Sequence, residues 1–153
     1  MPKRSKPVLL LAFAAAARLH AGALPPSPVT VKLHGARFAV ELATDPASRE
    51  HGLMMRIGLA PDHGMLFVLP DSGPLAFWMK DTLLPLDILF FDDDRKLVSM
   101  QLDVPPCKTA PCPAYPSDKP ARYVLEVSAG TARRIDARIG DTLSIDGAIG
   151  PVR

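Results

Sequence analysis

The signatures that announce the common enzyme classes are absent from this sequence. There is no G-x-S-x-G, no H-E-x-x-H, no phosphate-cradling G-x-x-x-x-G-K-[ST] and no glycine fingerprint for a dinucleotide. No cofactor is therefore expected. Four histidines, two cysteines and one tryptophan leave few side chains for nucleophilic or metal chemistry. A zinc site wants four ligands, and no second Cys or His pair sits at a spacing that matches the cysteines. At 153 residues the chain is long enough for one domain and too short for two ordinary ones.

What is present divides sharply near the N-terminus. Lys3, Arg4 and Lys6 form a basic head, followed by the uncharged apolar run Val8 to Ala17 and the small residues Ala21-Gly22-Ala23. That order predicts a secretory signal over residues 1–23, cut before Leu24. Its apolar core is about 10 residues, well short of the roughly 20 a membrane-spanning helix needs. A retained anchor is the alternative, since Arg18 and His20 crowd the approach to the cut. The expected location is periplasmic or secreted, with no membrane span once the signal is removed. The remaining chain holds 14 Lys and Arg against 16 Asp and Glu, a net charge of −2. No basic stripe interleaved with aromatics survives, so nucleic acid is not an expected partner.

Cys107 and Cys112, an even count in an exported chain, predict a disulfide. The loop it closes is short, so the constraint on the unfolded chain is worth only about 2 kcal/mol.

Residues 24–28 hold three prolines and read as an extended spacer, leaving 29–153 as one domain. Val29 to Leu33 and Arg37 to Leu42 alternate as half-buried strands, with His34-Gly35 as the turn of a hairpin. Asp45-Pro46 starts a helix running to about Met54, because Asp45 caps free N–H groups and Pro46 fits the first helical position. Gly64 to Leu69 and Leu75 to Met79 are apolar runs. Leu86 to Phe91 is a strand covered on both faces, turning at Asp92-Asp93-Asp94-Arg95 into Lys96 to Leu102. The aspartates lack the Gly and Glu of a calcium loop, and a charged turn explains them. Six prolines between Asp103 and Ala121 predict a long irregular loop stapled by the disulfide. Arg122 to Val127 is a strand, Thr131 to Ile139 a short helix ended by Gly140, and Thr142 to Ile145 a last strand. The expected fold class is α+β: mostly antiparallel β, a small curved-sheet or barrel-like domain with two short helices.

Several segments carry a likeness to a known family: Arg49…Gly52-Leu53-Met54-Met55-Arg56, Gly64-Met65-Leu66-Phe67, Phe77-Trp78-Met79-Lys80-Asp81-Thr82 and Pro85-Leu86-Asp87-Ile88. With Leu125-Glu126…Gly130 and Gly140-Asp141 they make the chain resemble the domain of unknown function 192 family over roughly Val29 to Ile145. The resemblance implies a small β-rich domain, often exported or membrane-tethered in bacteria, and the Cys107…Cys112 loop looks like one found in many bacterial members. It implies no catalytic residue, because the family has none agreed.

Four groups of residues are candidates for chemistry, each with a plainer reading beside it. Arg49 and Arg56, seven apart, share a helical face if the helix reaches that far, and could hold a carboxylate or phosphate bidentately. Otherwise each pairs with a carboxylate such as Asp87 or Glu126 and ties the helix to the sheet. Asp87 and Glu126 lie within strands, where a carboxylate is costly to bury alone. Pointing inward, they would form an acid/base pair for a hydrolase, with Arg56 as electrophile. In the plainer case Glu126 faces outward and Asp87 bonds backbone N–H groups. Alternation places Trp78 and Lys80 on one face and Phe77 and Met79 on the other. That offers either an aromatic–cation corner for a small ligand or a core tryptophan. Met54, Met55, Met65 and Met79 with His51 and His63 match no copper motif, and methionine commonly fills gaps in cores.

The leading expectation is a non-catalytic exported protein that binds a small molecule or an envelope protein. Its site would lie between Arg49, Arg56, Trp78, Lys80, Asp81 and Tyr115. The alternatives are the hydrolase built on Asp87, Glu126 and Arg56, and an envelope assembly factor docking through its proline-rich loop.

Overall fold

The computed structural model describes residues 29–153, so the signal and spacer expected over 1–23 and 24–28 lie outside the described residues. The chain opens with the expected hairpin, β1 (Thr30–Leu33) and β2 (Ala36–Ala43), paired in register from Thr30 opposite Ala39 to Leu33 opposite Ala36. His34 and Gly35 take the positive φ values of 44° and 80° that let the two-residue turn follow the twist of its strands.

Helix α1 (Pro46–His51) starts where Asp45-Pro46 predicts. The Asp45 carboxylate accepts from the N–H groups of Ala47 and Ser48 at 3.0 and 3.1 Å, and the Ser48 hydroxyl accepts in return from the Asp45 N–H. The helix ends at His51, short of Met54, because Gly52 turns away with φ 49°. A Cβ at Gly52 would stand 3.3 Å from the Phe67 ring, so the chain there passes close over the sheet. Through α1 the chain crosses from β2 to β3 (His63–Gly73), which pair in parallel. A parallel pair cannot be joined by a tight turn, and the helix supplies the crossover.

β5 (Leu86–Phe91) spans the predicted residues and is buried throughout. With β6 (Leu97–Val104), β8 (Ala121–Ser128) and β9 (Ser144–Asp146) it completes a seven-stranded sheet in the order β6-β5-β8-β3-β2-β1-β9. The sheet is mixed and open, not closed into a barrel, and the β-rich α+β class holds. The proline-rich segment is not wholly irregular. β7 (Ala114–Pro116) pairs antiparallel with β4 (Ala76–Trp78) in a second, two-stranded sheet, where prolines are tolerated because both strands are edges. Helix α2 covers only Thr131–Arg134, ending well before Gly140.

Each face of the large sheet has its own core. One, around Leu66, Leu89, Phe91, Leu125 and Val127, is covered by α2 and the residues after it. The other, around Phe67, Ile88, Phe90 and Val124, is covered by Leu53 beyond α1, by Met79, and by Phe77 and Tyr115 of the small sheet. Phe77 meets Phe67 and Phe90 edge to face at 5.0 and 5.8 Å, a geometry aromatic pairs favour.

Candidate functional site

The second core contains a buried carboxyl group that the protein leaves unbonded. Glu126 sits in β8 opposite Ile88 of β5, points into the core of Phe67, Phe90 and Val124, and is 4% exposed. Among the described residues no donor lies within hydrogen-bond reach of its carboxyl. Burial alone pushes its pKa from the ordinary 4.5 up to about 8. Near neutral pH it is mostly a neutral acid, able to donate one hydrogen bond and accept others.

Glu126 lines a narrow cavity of about 30 Å³, room for roughly one or two water-sized groups. Phe67, Phe77 and Leu53 form apolar walls, and His51, Trp78 and Lys80 stand at the mouth. Each wall has a local cause. Gly52 brings the end of α1 down onto Phe67, and the Phe77 ring, wedged between Phe67 and Phe90, fixes β4 and so Trp78. Period-two alternation then puts Trp78 and Lys80 outside and Phe77 and Met79 inside, as the sequence predicts. Trp78 is 47% exposed and is not a core residue; Lys80 Nζ lies 5.3 Å from its ring centroid, a cation–π contact. Lys80 makes no ion pair among the described residues.

Shallow grooves lead away from this mouth. One of about 220 Å³ runs along Arg49, Leu75 and Phe77 on one side of Trp78. Another of about 370 Å³ lies between Trp78, Lys80 and the loop residues Ala110, Pro111 and Cys112. The loop is held there by its sulfurs, 2.14 Å apart in the Cys107–Cys112 pair, and by backbone bonds. The Cys107 N–H donates to the Met79 carbonyl, and the Asp81 N–H donates to the Cys107 carbonyl, both at 3.2 Å. The stapled loop is thus a wall of the site.

Other predicted site residues are placed differently. Arg49 lines the mouth, but its guanidinium donates to the carbonyls of Val68 and Arg153, tying α1 to the sheet and the C-terminus with no carboxylate involved. Arg56 lies beyond the end of α1 and pairs with Glu41, so the two arginines do not share a helical face and form no clamp. Asp81 serves through its backbone, accepting from the Met55 N–H at 2.8 Å while its side chain faces solvent. Tyr115 packs against the second core and lines a separate groove among the prolines.

The hydrolase constellation does not assemble. Asp87 is opposite Val127 and therefore faces the first core, while Glu126 faces the second. Asp87 accepts from the N–H groups of Asp103 and Ala132, each at 2.9 Å, as the plainer reading expects. Arg56 is near neither of them and is engaged by Glu41. For Glu126 the plainer reading is the one that fails, since it takes an inward position. His51, a wall of this site, enters the sequence reading only as a metal candidate; the signal that marks it is its place directly before the Gly52 break. Met65 and Met79 of the methionine set are core residues.

Among known families, the DUF192 model, described as Uncharacterized ACR, matches residues 29–145. A UPF0127 protein of Thermococcus gammatolerans is 33% identical over 110 residues, covering 70% of this chain and just under two thirds, 66%, of that protein. A UPF0127 protein of Pyrococcus abyssi is 29% identical over 107 residues, covering 67% of this chain and 81% of its own length. Two crystal structures share the fold. One, of a Sinorhizobium meliloti protein described as a candidate transcription regulator, has a TM-score of 0.71 and 40% identity, covering 80% of this chain and 97% of the other. The other, of a Novosphingobium aromaticivorans protein of unknown function, has a TM-score of 0.70 and 33% identity, covering 86% and 94%.

Proposed function

This chain belongs to the DUF192 family, whose description carries no activity, and we propose from its own geometry that it is a non-catalytic binding protein. The ligand is a small molecule whose uncharged hydrogen-bonding end enters the Glu126 cavity. The observation that carries this is the unbonded, buried Glu126 carboxyl facing a cavity. The carboxyl oxygens are not sealed off but open to the cavity, the side from which a ligand atom can complete their bonding. Binding suits the site better than catalysis, because among the described residues no second titratable group is hydrogen-bonded to Glu126 as an acid/base or nucleophile pair would be.

The proposal is tested by thermal stability of the full chain across a panel of small polar metabolites, compared with Glu126→Leu. A ligand held by Glu126 raises the Tm of the native protein and leaves that of the variant unchanged. Equal shifts in both proteins, or none in either, count against the site.

The Sinorhizobium protein's description raises nucleic acid as a partner, and the charges here argue otherwise. Residues 29–153 are net negative, and Arg37, Arg122, Arg133 and Arg138 are each paired with an aspartate, leaving them poorly placed to neutralise phosphates. Export belongs to the proposal too, supported by the basic-apolar-small order of residues 1–23 and by a cysteine pair of the kind oxidising compartments keep. Fractionation of cells with N-terminal sequencing tests it: a mature chain starting at Leu24 outside the cytoplasm is expected, and an intact leader in the cytosol overturns it.

A further inference from the structure

We infer that the ligand is a saccharide, its ring lying on the exposed indole face of Trp78 with one hydroxyl or hydroxymethyl group inserted toward Glu126. This rests on the binding reading above and names the ligand class for the same site.

Three features narrow the class. First, the cavity is small, so it admits the tip of a ligand and not its body, which must lie outside against the mouth. The tip has to be one or two heavy atoms able to accept a hydrogen bond from an acid and return one; an alcohol does both. Second, the body meets Trp78, which is nearly half exposed and flanked by grooves on two sides. An exposed large aromatic is costly to leave in water, and a ring with an apolar C–H face covers it while its hydroxyls radiate sideways. Lys80, whose ammonium lies over the Trp78 ring and leaves the other face for the sugar, and the polar edge of His51 are the groups those hydroxyls would meet. Third, the charges discriminate. An ammonium group would gain from an ionised Glu126, but the cavity lining carries two cations, Lys80 and Arg49, against the one anion Glu50, a net positive charge on its way in. A carboxylate would be drawn to that mouth but would have to shed its hydration to enter between Phe67, Phe77 and Leu53. A neutral hydroxyl meets neither penalty. The open ends of the two grooves further suit a ligand longer than one ring.

The test uses the full chain and ligand-observed NMR, which reads every variant, including those without tryptophan. The probes are glucose, galactose, N-acetylglucosamine and their β1,4-linked dimers, set against ethanolamine and putrescine as amines and acetate and lactate as acids. A saccharide should bind, more than tenfold more weakly in Trp78→Ala and Glu126→Leu, and within about threefold of native affinity in Glu126→Gln, which keeps a donor and an acceptor. Folding of each variant is checked by far-UV circular dichroism. If only an amine or an acid binds, with the same dependence on Trp78 and Glu126, the saccharide class is wrong and the binding site stands. If a saccharide binds equally well to Trp78→Ala and Glu126→Leu, its position is wrong. Silence from all three classes overturns both this inference and the site.

Discussion

Asp87 and Glu126 are buried carboxyl groups on adjacent strands of one sheet, and they have opposite fates. One position of register separates them: Asp87 is opposite Val127 and Glu126 opposite Ile88, which sends them to different faces. On its face Asp87 receives two backbone N–H groups, one from Asp103 on β6 and one from Ala132 in the first turn of α2. Both of these donors would otherwise be orphans, because Asp103 sits at a positive φ of 50° beside an irregular stretch of the β5·β6 ladder and Ala132 lies in the helix's first turn. On the other face Glu126 meets phenyl rings and a void. A carboxylate whose oxygens are both used holds the fold together; one whose oxygens are unused costs stability and is free to meet a ligand. The contrast separates scaffold from site in this molecule.

The largest way to break the contrast is to remove the scaffold carboxylate. Asp87→Ala strands one buried N–H group, that of Ala132, and one part-buried, that of Asp103, and should lower the unfolding free energy by about 3 kcal/mol. Asp87→Asn, which keeps one acceptor, should lose roughly half as much. Urea denaturation of the three proteins measures it, and a loss under about 1 kcal/mol in the alanine variant would remove Asp87 from the role of latch.

The next effect has the opposite sign and belongs to Glu126. Its folded pKa, about 8, lies above the ordinary 4.5 of an unfolded chain, so the folded state holds the proton through that window and the unfolded state does not. Its contribution to stability is therefore full below about pH 4.5, falls as pH rises, and levels off above about pH 8. Between pH 4.5 and 7 the native protein should lose about 3 kcal/mol relative to Glu126→Gln, whose amide does not titrate. Measuring both across this range cancels the surface carboxylates they share. Parallel stability curves would mean that Glu126 is bonded or ionised in solution.

How much of this was legible in the sequence follows the same division. Leu86 to Phe91, the His34-Gly35 turn and the Asp45-Pro46 helix start were readable because each is fixed by local chemistry: β-branched and aromatic runs, positive φ, a capping oxygen. The length of α2, the β4·β7 pairing and the parallel β2·β3 pair depend on what lies across the fold, which local pattern does not report. The face that Glu126 takes is not legible for a related reason. Alternation tells which residues share a face of a strand, but not whether that face meets water. The available signal was that Val124, Leu125 and Val127 are apolar on both parities, which marks a central strand covered on both sides. In such a strand no position is outward.

Gly64 joins the site to that central strand. A Cβ there would stand 2.6 Å from the Glu126 carbonyl oxygen and 3.0 Å from Val127 Cγ1, so only glycine lets β3 and β8 approach at this point. Gly64→Ala must push the two strands apart, at about 2 kcal/mol, and it moves the backbone that aims Glu126. Ligand binding should weaken more than the lost stability explains when measured well below the variant's Tm. Unchanged affinity would show that the aim of Glu126 tolerates movement of β8.

The smallest expected effect is at Arg56, the cation the sequence placed beside the site and the structure places elsewhere. It pairs with Glu41 at the surface, with 40% of its side chain exposed, where holding two flexible side chains together offsets most of the attraction. Arg56→Ala should change the unfolding free energy by about 0.5 kcal/mol or less and leave ligand affinity as it was. Lys80→Met serves as the matched control, since it removes a cation from the mouth itself and should weaken binding with as little change in stability. If the two variants behave alike in ligand titrations, charge at a distance governs the site; if only Lys80→Met weakens binding, contact at the mouth does.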